Sequence, residues 1–292
     1  MTMQHVSDKA MLTKLKISRW SASKHDRDVS EQVARDNGSD VEMGRFTKRL
    51  LAKEALEEIR IIATKARHHH YDHTLPWTDE GSRILPAAMY FDYQAAQQEF
   101  KHQFEEAVAR FVTAYPSYLA DARKRLGRLY KEAEYPAAHT IGDLFTIESK
   151  ISGLPNADDF RVDIGEEERE KVRADIEADL HQAVEGAMID VWQRIHDHVQ
   201  SLGDKLRAYK VEPDGKKQNV FRDSLVENMR ELVGLLPRLN ITGSNQLAVM
   251  TARLEDELCA VDAETLRNDS KVRTKVAKKA DAILAEVADF MS

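Results

Sequence analysis

The chain has 292 residues, 42% of them hydrophobic and 32% charged, with 43 Lys and Arg against 50 Asp and Glu. That length holds one large or two small domains, and 12 glycines with 7 prolines favour long helices over turn-rich sheets. A single cysteine excludes an intramolecular disulfide and suits a reducing cytoplasm. The absence of any apolar run near a bilayer span argues against a membrane partner.

Charge is unevenly spread. Residues 1–70 carry 14 basic against 10 acidic side chains, whereas the remainder carries 29 against 40. The N-terminal stretch therefore tolerates a polyanion partner. Residues 1–38 read as an arm and a short helix. In MLTKLKISRW, Leu15 and Ile17 share a side, as in a short strand or extended arm. DRDVSEQVARDNG then reads as a helix stopped at Asn37-Gly38, since glycine adopts the left-handed conformation that ends helices.

Residues 39–211 read as a long-helix bundle. Ser39 or Asp40 caps an expected helix running through MGRFTKRLLAKEALEEIRIIATKARHH, with Leu50, Leu51, Leu56, Ile59, Ile62 and Ala63 on one face. A helix-turn-helix reading of VARDNGSDVEMGRFTKR fails at Gly44, where a buried branched residue belongs. HTLPWTDEGSRILP comes next, a rigid, shaped connection. Beyond it Phe100, Phe104, Val108, Phe111 and Tyr115 step along one helical face as core, with a break or kink expected at Pro116. LFTIESKIS and DFRVDI alternate and read as a small β-hairpin insertion at about residues 144–164.

Residues 165–210, which open with GEEEREKVRADIEADL, read as one helix. Three glutamates in its first turn and Lys205, Arg207 and Lys210 in its last complement the macrodipole. Its apolar positions recur every 3.8 residues or so, which is no heptad seam. An apolar stripe that long needs cover. The shorter C-terminal helices suggest that a second chain meets Met188–Leu206, with Trp192 and Ile195 as docking residues. EPDGKKQN reads as a linker, and residues 220–292 as a C-terminal helical subdomain whose first helix ends at Pro237. The fold class expected is thus mainly α: long antiparallel helices in a coiled-coil-like bundle, a small β-hairpin insertion and a C-terminal helical unit.

Chemistry is sparse. In ARHHHYDH the candidates for metal ligation are His69, Asp72 and His73. They lack a second ligand-rich segment to complete a coordination shell, and histidines near a helix end interact with its dipole unaided. No phosphate-binding glycine loop, dinucleotide fingerprint or nucleophile elbow occurs, so no catalytic residue and no cofactor is assigned. Cys259 stands among acidic residues, which disfavour a thiolate. Trp77 and Arg83, in the shaped connection, are candidates for docking a protein partner. Lys14, Lys16, Arg19, Lys24, Arg45, Lys48 and Arg49 are candidates for holding nucleic acid of any sequence, with Trp20 placed to stack a base.

TLPWTDEGSRILP, PNADDFRVDI and FRDSLVENMRELVGLLPRLNI together resemble an uncharacterised helical family of tailed phages and integrative elements. Its relatives can be encoded near a MoxR-type AAA ATPase with a von Willebrand A-like partner, or near recombination genes. The resemblance implies a non-enzymatic phage or mobile-element accessory protein that self-assembles as a homo-oligomer or docks protein partners, an AAA ATPase among them. It brings no catalytic residues with it. A nucleic-acid-associated protein of phage DNA metabolism is the alternative.

Overall fold

A computed structural model describes residues 6, 8–77, 81–155, 165–212 and 216–291. The fold is mainly α. In chain order come β1 (Ala10–Ser18), β2 (Ser23–His25), α1 (Arg27–Asn37), β3 (Thr47–Arg49), α2 (Glu57–Asp72), β4 (Leu75–Pro76), β5 (Arg83–Pro86) and α3 (Tyr90–Leu126). They are followed by β6 (Thr146–Ser152), α4 (Glu166–Ala208), β7 (Lys210–Val211), β8 (Lys217–Gln218), α5 (Ser224–Leu239), α6 (Asn245–Leu254), α7 (Ala263–Asn268) and α8 (Ser270–Val287). Among the described residues no helix is long and apolar enough to cross a membrane.

The chain divides into two compact units. The first contains residues 1–14, 71–91 and 151–292; the second contains residues 15–70 and 92–150. In the first unit, the start of β1 pairs antiparallel with β5 (Leu12 opposite Ile84), and β4 pairs with β5 (Leu75 opposite Ile84). The shaped connection is thus a strand pair, and its tip, residues 78–80, lies outside the described residues. Helix α4 spans 43 residues, about 64 Å at the usual helical rise. Its stripe of Val191, Ile195, Val199, Leu202 and Leu206 is buried, and α8 is its principal neighbour.

That cover corrects the expectation of a second chain. Trp192 is 6% exposed and Ile195 fully buried. The Trp192 indole stacks on Phe290 at 4.3 Å, with the rings 14° apart. A short helix does not need to match the rod's length to shield it: α8 and the turn after it lie where the stripe is most apolar. The stretch expected as a linker carries short strands at its flanks. They pair as β7 and β8, Lys210 opposite Gln218, while residues 213–215 lie outside the described residues.

The second unit is built on α2 and α3. Ile59, Ile62, Ala63 and Ala66 of α2 meet Phe104, Ala107, Phe111 and Tyr115 of α3, with Leu50, Leu51, Ile141, Phe145 and Ile147 closing the core. The aromatic stripe is core, as its spacing predicts. Helix α3 nevertheless runs through Pro116 without a break. The proline forfeits one backbone hydrogen bond, but Tyr115 on one side and Tyr118 and Leu119 on the other are tied into the core. Helix α5 likewise continues to Leu239, past Pro237. β6 forms where LFTIESKIS predicts a strand and is the neighbour of β1 in its sheet. The second strand expected at 159–164 lies outside the described residues.

Helix α1 ends as read: Gly38 takes φ 62°, and its N–H caps the last turn. The helix expected from Ser39 is absent. Asp40 caps only a 3-10 turn at Val41–Met43, Gly44 is extended at φ −144°, and β3 pairs with β2 in register Lys24 opposite Lys48. A helix begins only with the 3-10 turn at Lys53 that leads into α2. With β3 where a recognition helix would have to stand, the helix-turn-helix reading falls.

Candidate anion-binding site

The β2–β3 pair explains the loss of that helix and creates the site. Neighbouring residues of a strand face opposite ways, so burying Lys48 turns Arg49 outward. Lys48 is 1% exposed at its side chain and Asp26 2%. The ammonium donates to Asp26 Oδ2 at 2.7 Å and to the Leu129 carbonyl at 2.9 Å, and it lies 2.9 Å from Glu134 Oε2. Two hydrogen-bond acceptors and a second carboxylate thus surround the ammonium. Burial works against the charge on Lys48, but the hydrogen bonds to Asp26 and Glu134 outweigh it and hold its pKa above the ordinary value. The hydrogen bond from Lys48 holds the Asp26 carboxyl below the usual carboxylate range despite burial. Lys48 is therefore a positioning residue inside the fold, and its expected place on a nucleic-acid surface is corrected.

At the outward side lies a cavity of about 410 Å³, lined by residues from Arg19 to Ser23, from Arg49 to Lys53, from the start of α2 and by Phe145. Among the described residues, Arg19, Arg49, Lys53 and Arg60 bring four cations to it, and Glu57 brings the one carboxylate. Glu57 is already taken, since Arg60 grips it with both fork nitrogens, at 2.9 and 2.5 Å. Among the described residues, Arg19, Arg49 and Lys53 have no salt bridge to a carboxylate. Partial burial and the nearby charges of Arg67 and Arg60 depress the pKa of Arg19. Like charges brought together without counter-charges mark a place that attracts anions.

The walls add two more features. The Trp20 indole stands edge-on to Tyr115, with centroids 6.2 Å apart, and stays partly exposed. Ser23 Oγ donates to Ser21 Oγ at 3.1 Å. The turn joining them is shaped by Ala22, which takes φ 47° while its carbonyl accepts from the Leu50 N–H at 2.7 Å. A left-handed alanine costs roughly 1–2 kcal/mol, and such strain persists where surrounding contacts over-determine it.

Of the sequence candidates, the structure brings Arg19, Trp20 and Arg49 together. Lys14, Lys16 and Lys24 are exposed but do not line the cavity. Arg45 lines a smaller cavity of about 200 Å³ between α1 and the turn before β3. The sequence reading missed Lys53 and Arg60, which looked like the solvated face of one long helix. The available signal was the run of cations from Arg45 to Lys53, too polar and too poor in spacing for a helix with Leu50 and Leu51 both buried.

The remaining candidates have other roles. His69 lies over Tyr93 at 5.9 Å and edge-on to Phe100 at 5.7 Å, and His70 Nδ1 shares a 2.7 Å hydrogen bond with Tyr93 Oη. His69 belongs to the second unit, Asp72 and His73 to the first. Among the described residues no group of three or more His, Cys, Asp or Glu side chains is gathered to hold a metal ion. In the first unit, Arg83 donates to Thr74 Oγ1 at 2.7 Å and lies over the Tyr71 ring, while half-buried Trp77 lines an open cavity of about 620 Å³ beside α4. Cys259 is buried, and burial raises its thiol pKa. Comparison with known proteins finds no matching family model, no matching curated protein and no matching solved structure.

Proposed function

We propose that this protein binds nucleic acid without sequence preference, through the basic cavity of the second unit, and catalyses no reaction of its own. The observation that carries this reading is the convergence of Arg19, Arg49, Lys53 and Arg60 beside a partly exposed Trp20. Phosphate neutralisation supplies affinity and aromatic stacking tolerates any base, so the pair suits sequence-independent binding. The setting proposed with it, on the resemblance to phage and integrative-element proteins, is the DNA metabolism of a mobile element in the cytoplasm of a bacterial host.

A mobility-shift assay at low salt tests it. Single-stranded DNA is expected to bind with an affinity that falls as salt rises. Three unpaired cations give a log–log slope of about −2, from roughly 0.7 per neutralised phosphate. Arg19→Gln is expected to weaken binding and flatten that slope by about 0.7. Glu57→Gln should act oppositely, because it frees Arg60 for phosphate. Absence of any shift with single- and double-stranded probes at low salt would sink the reading.

One observation favours partner docking as a second reading. Val33, Val41, Met43 and Phe46 are 50%, 44%, 83% and 37% exposed on α1 and the turn after it. Val33 and Phe46 line the small cavity there. Apolar side chains grouped this way mark protein contacts, and self-assembly or an AAA ATPase partner would use them. Light scattering should then show a concentration-dependent assembly that Met43→Ser with Phe46→Ser abolishes. A monomer at all concentrations, with the same partners captured by wild type and variant, removes this second reading.

A further inference from the structure

We propose that the Arg19–Arg49 cavity takes the phosphorylated end of a nucleic-acid strand, a terminal phosphomonoester with its adjoining base, and not the middle of a strand. The inference rests on the nucleic-acid reading above and narrows it to a substrate class. Size is the first argument. Three short stretches and Phe145 converge on about 410 Å³, at the scale of sites that enclose one small ligand. A duplex presents its phosphates along a surface far broader than such a cavity admits.

Charge is the second argument. Each internal nucleotide carries one negative charge, whereas a phosphomonoester carries about −1.5 to −2 near neutrality and offers three acceptor oxygens. Arg19, Arg49 and Lys53 face the cavity without a carboxylate salt bridge among the described residues, and Arg60 is already held by Glu57. Lys53 also lies within reach of the Glu57 charge, so Arg19 and Arg49 carry the excess: two cations around one nucleotide-sized space exceed what a phosphodiester neutralises and match a terminal phosphate. Ser21, whose Oγ accepts from Ser23 at the same wall, keeps its own hydroxyl proton to donate to one of the phosphate oxygens. Among the described residues Trp20 is the only aromatic ring of the lining besides Phe145, which is buried, so the adjoining base stacks on Trp20.

Fluorescence anisotropy with the full chain tests this. One single-stranded oligonucleotide is compared with and without a terminal phosphate, and inorganic phosphate, a nucleoside monophosphate and a duplex serve as competitors. The phosphorylated strand is expected to bind roughly tenfold tighter than its hydroxyl twin, the scale of one added charge-assisted contact. Arg19→Gln and Arg49→Gln, both at exposed positions, should each shrink that ratio towards one. The nucleoside monophosphate should compete better than inorganic phosphate, and Trp20→Ala should bring the two level. Equal affinity for both strands, with both weakened by Arg19→Gln, would overturn the end-binding inference while leaving nucleic-acid binding in place. Inorganic phosphate competing as well as the nucleotide, or the free nucleotide far outbinding the phosphorylated strand, would also overturn it. Failure of every strand to bind at low salt would remove the nucleic-acid reading itself.

Discussion

Lys48→Ala is expected to destabilise the second unit by about 3–5 kcal/mol near neutral pH, the scale of removing one partner from a buried ionic network. The substitution strands Asp26, 2% exposed, and Glu134, 10% exposed, without the ammonium that joins them. The pH dependence comes from the sign of each shift. Asp26 has a depressed pKa in the folded wild type, so its contribution is present above the unfolded value of about 3.9 and is lost as pH falls through the folded one. Lys48 has a raised pKa, so its contribution is present below about 10.4 and is lost as pH rises through the folded value. In the variant Asp26 is buried without its cation, which favours its neutral form, so the deficit should begin to shrink above the unfolded value of about 3.9 and shrink further as pH falls through the depressed wild-type value. Urea midpoints of wild type and variant across that range check this. A deficit under about 1 kcal/mol at pH 7 would show the network to be as weak as a surface ion pair. Lys48→Met combined with Asp26→Asn and Glu134→Gln should recover much of the loss, since a neutral cluster carries no stranded charge.

The second large effect is expected in the first unit. Trp192→Ala should cost about 3–5 kcal/mol, as large-to-small changes of buried aromatics do. It removes a side chain that is 6% exposed and stacked at 4.3 Å on Phe290. Phe290→Ala should cost less, because that ring is only half-buried, and the double variant should fall short of the sum by the stacking term, about 0.5–1.5 kcal/mol. Chemical denaturation measures all three. Light scattering on the same samples should show unchanged mass. A change in oligomer order without loss of stability would return Trp192 to the role of an intermolecular anchor.

These two residues show what the sequence makes legible. Local signals read true: Asn37-Gly38 stops α1, three glutamates open α4, and the stripe from Phe100 to Tyr115 is core. Each depends on residues within a turn or two of one another. Lys48 misleads because a lysine in a run of cations reads as surface, and only Asp26 and Glu134, far away in the chain, make its burial tolerable. Trp192 misleads for the same reason, since its cover arrives with Phe290, near the last described residues. The cavity is half legible. Arg19, Trp20 and Arg49 stand out by type, while Arg60 is hidden in a helical face whose true start, at the turn from Lys53, depends on β3.

The way the chain passes between its two units has a consequence for biosynthesis. The passages fall at Lys14–Leu15, His70–Tyr71, Phe91–Asp92 and Lys150–Ile151, inside β1, α2, α3 and β6 and not in loops. Everything the second unit needs has left the ribosome once Lys150 has emerged. The early pieces of the first unit, residues 8–14, 71–77 and 81–91, must wait for later parts of that unit, with β4 packing on α4. Nascent chains halted just beyond Lys150 should therefore already hold the cation cavity in protease-resistant form, while β5, with Ile84 and Leu85, still lacks its final cover. No single cut in the gene separates the two units, so a truncation meant to isolate one will expose part of the other.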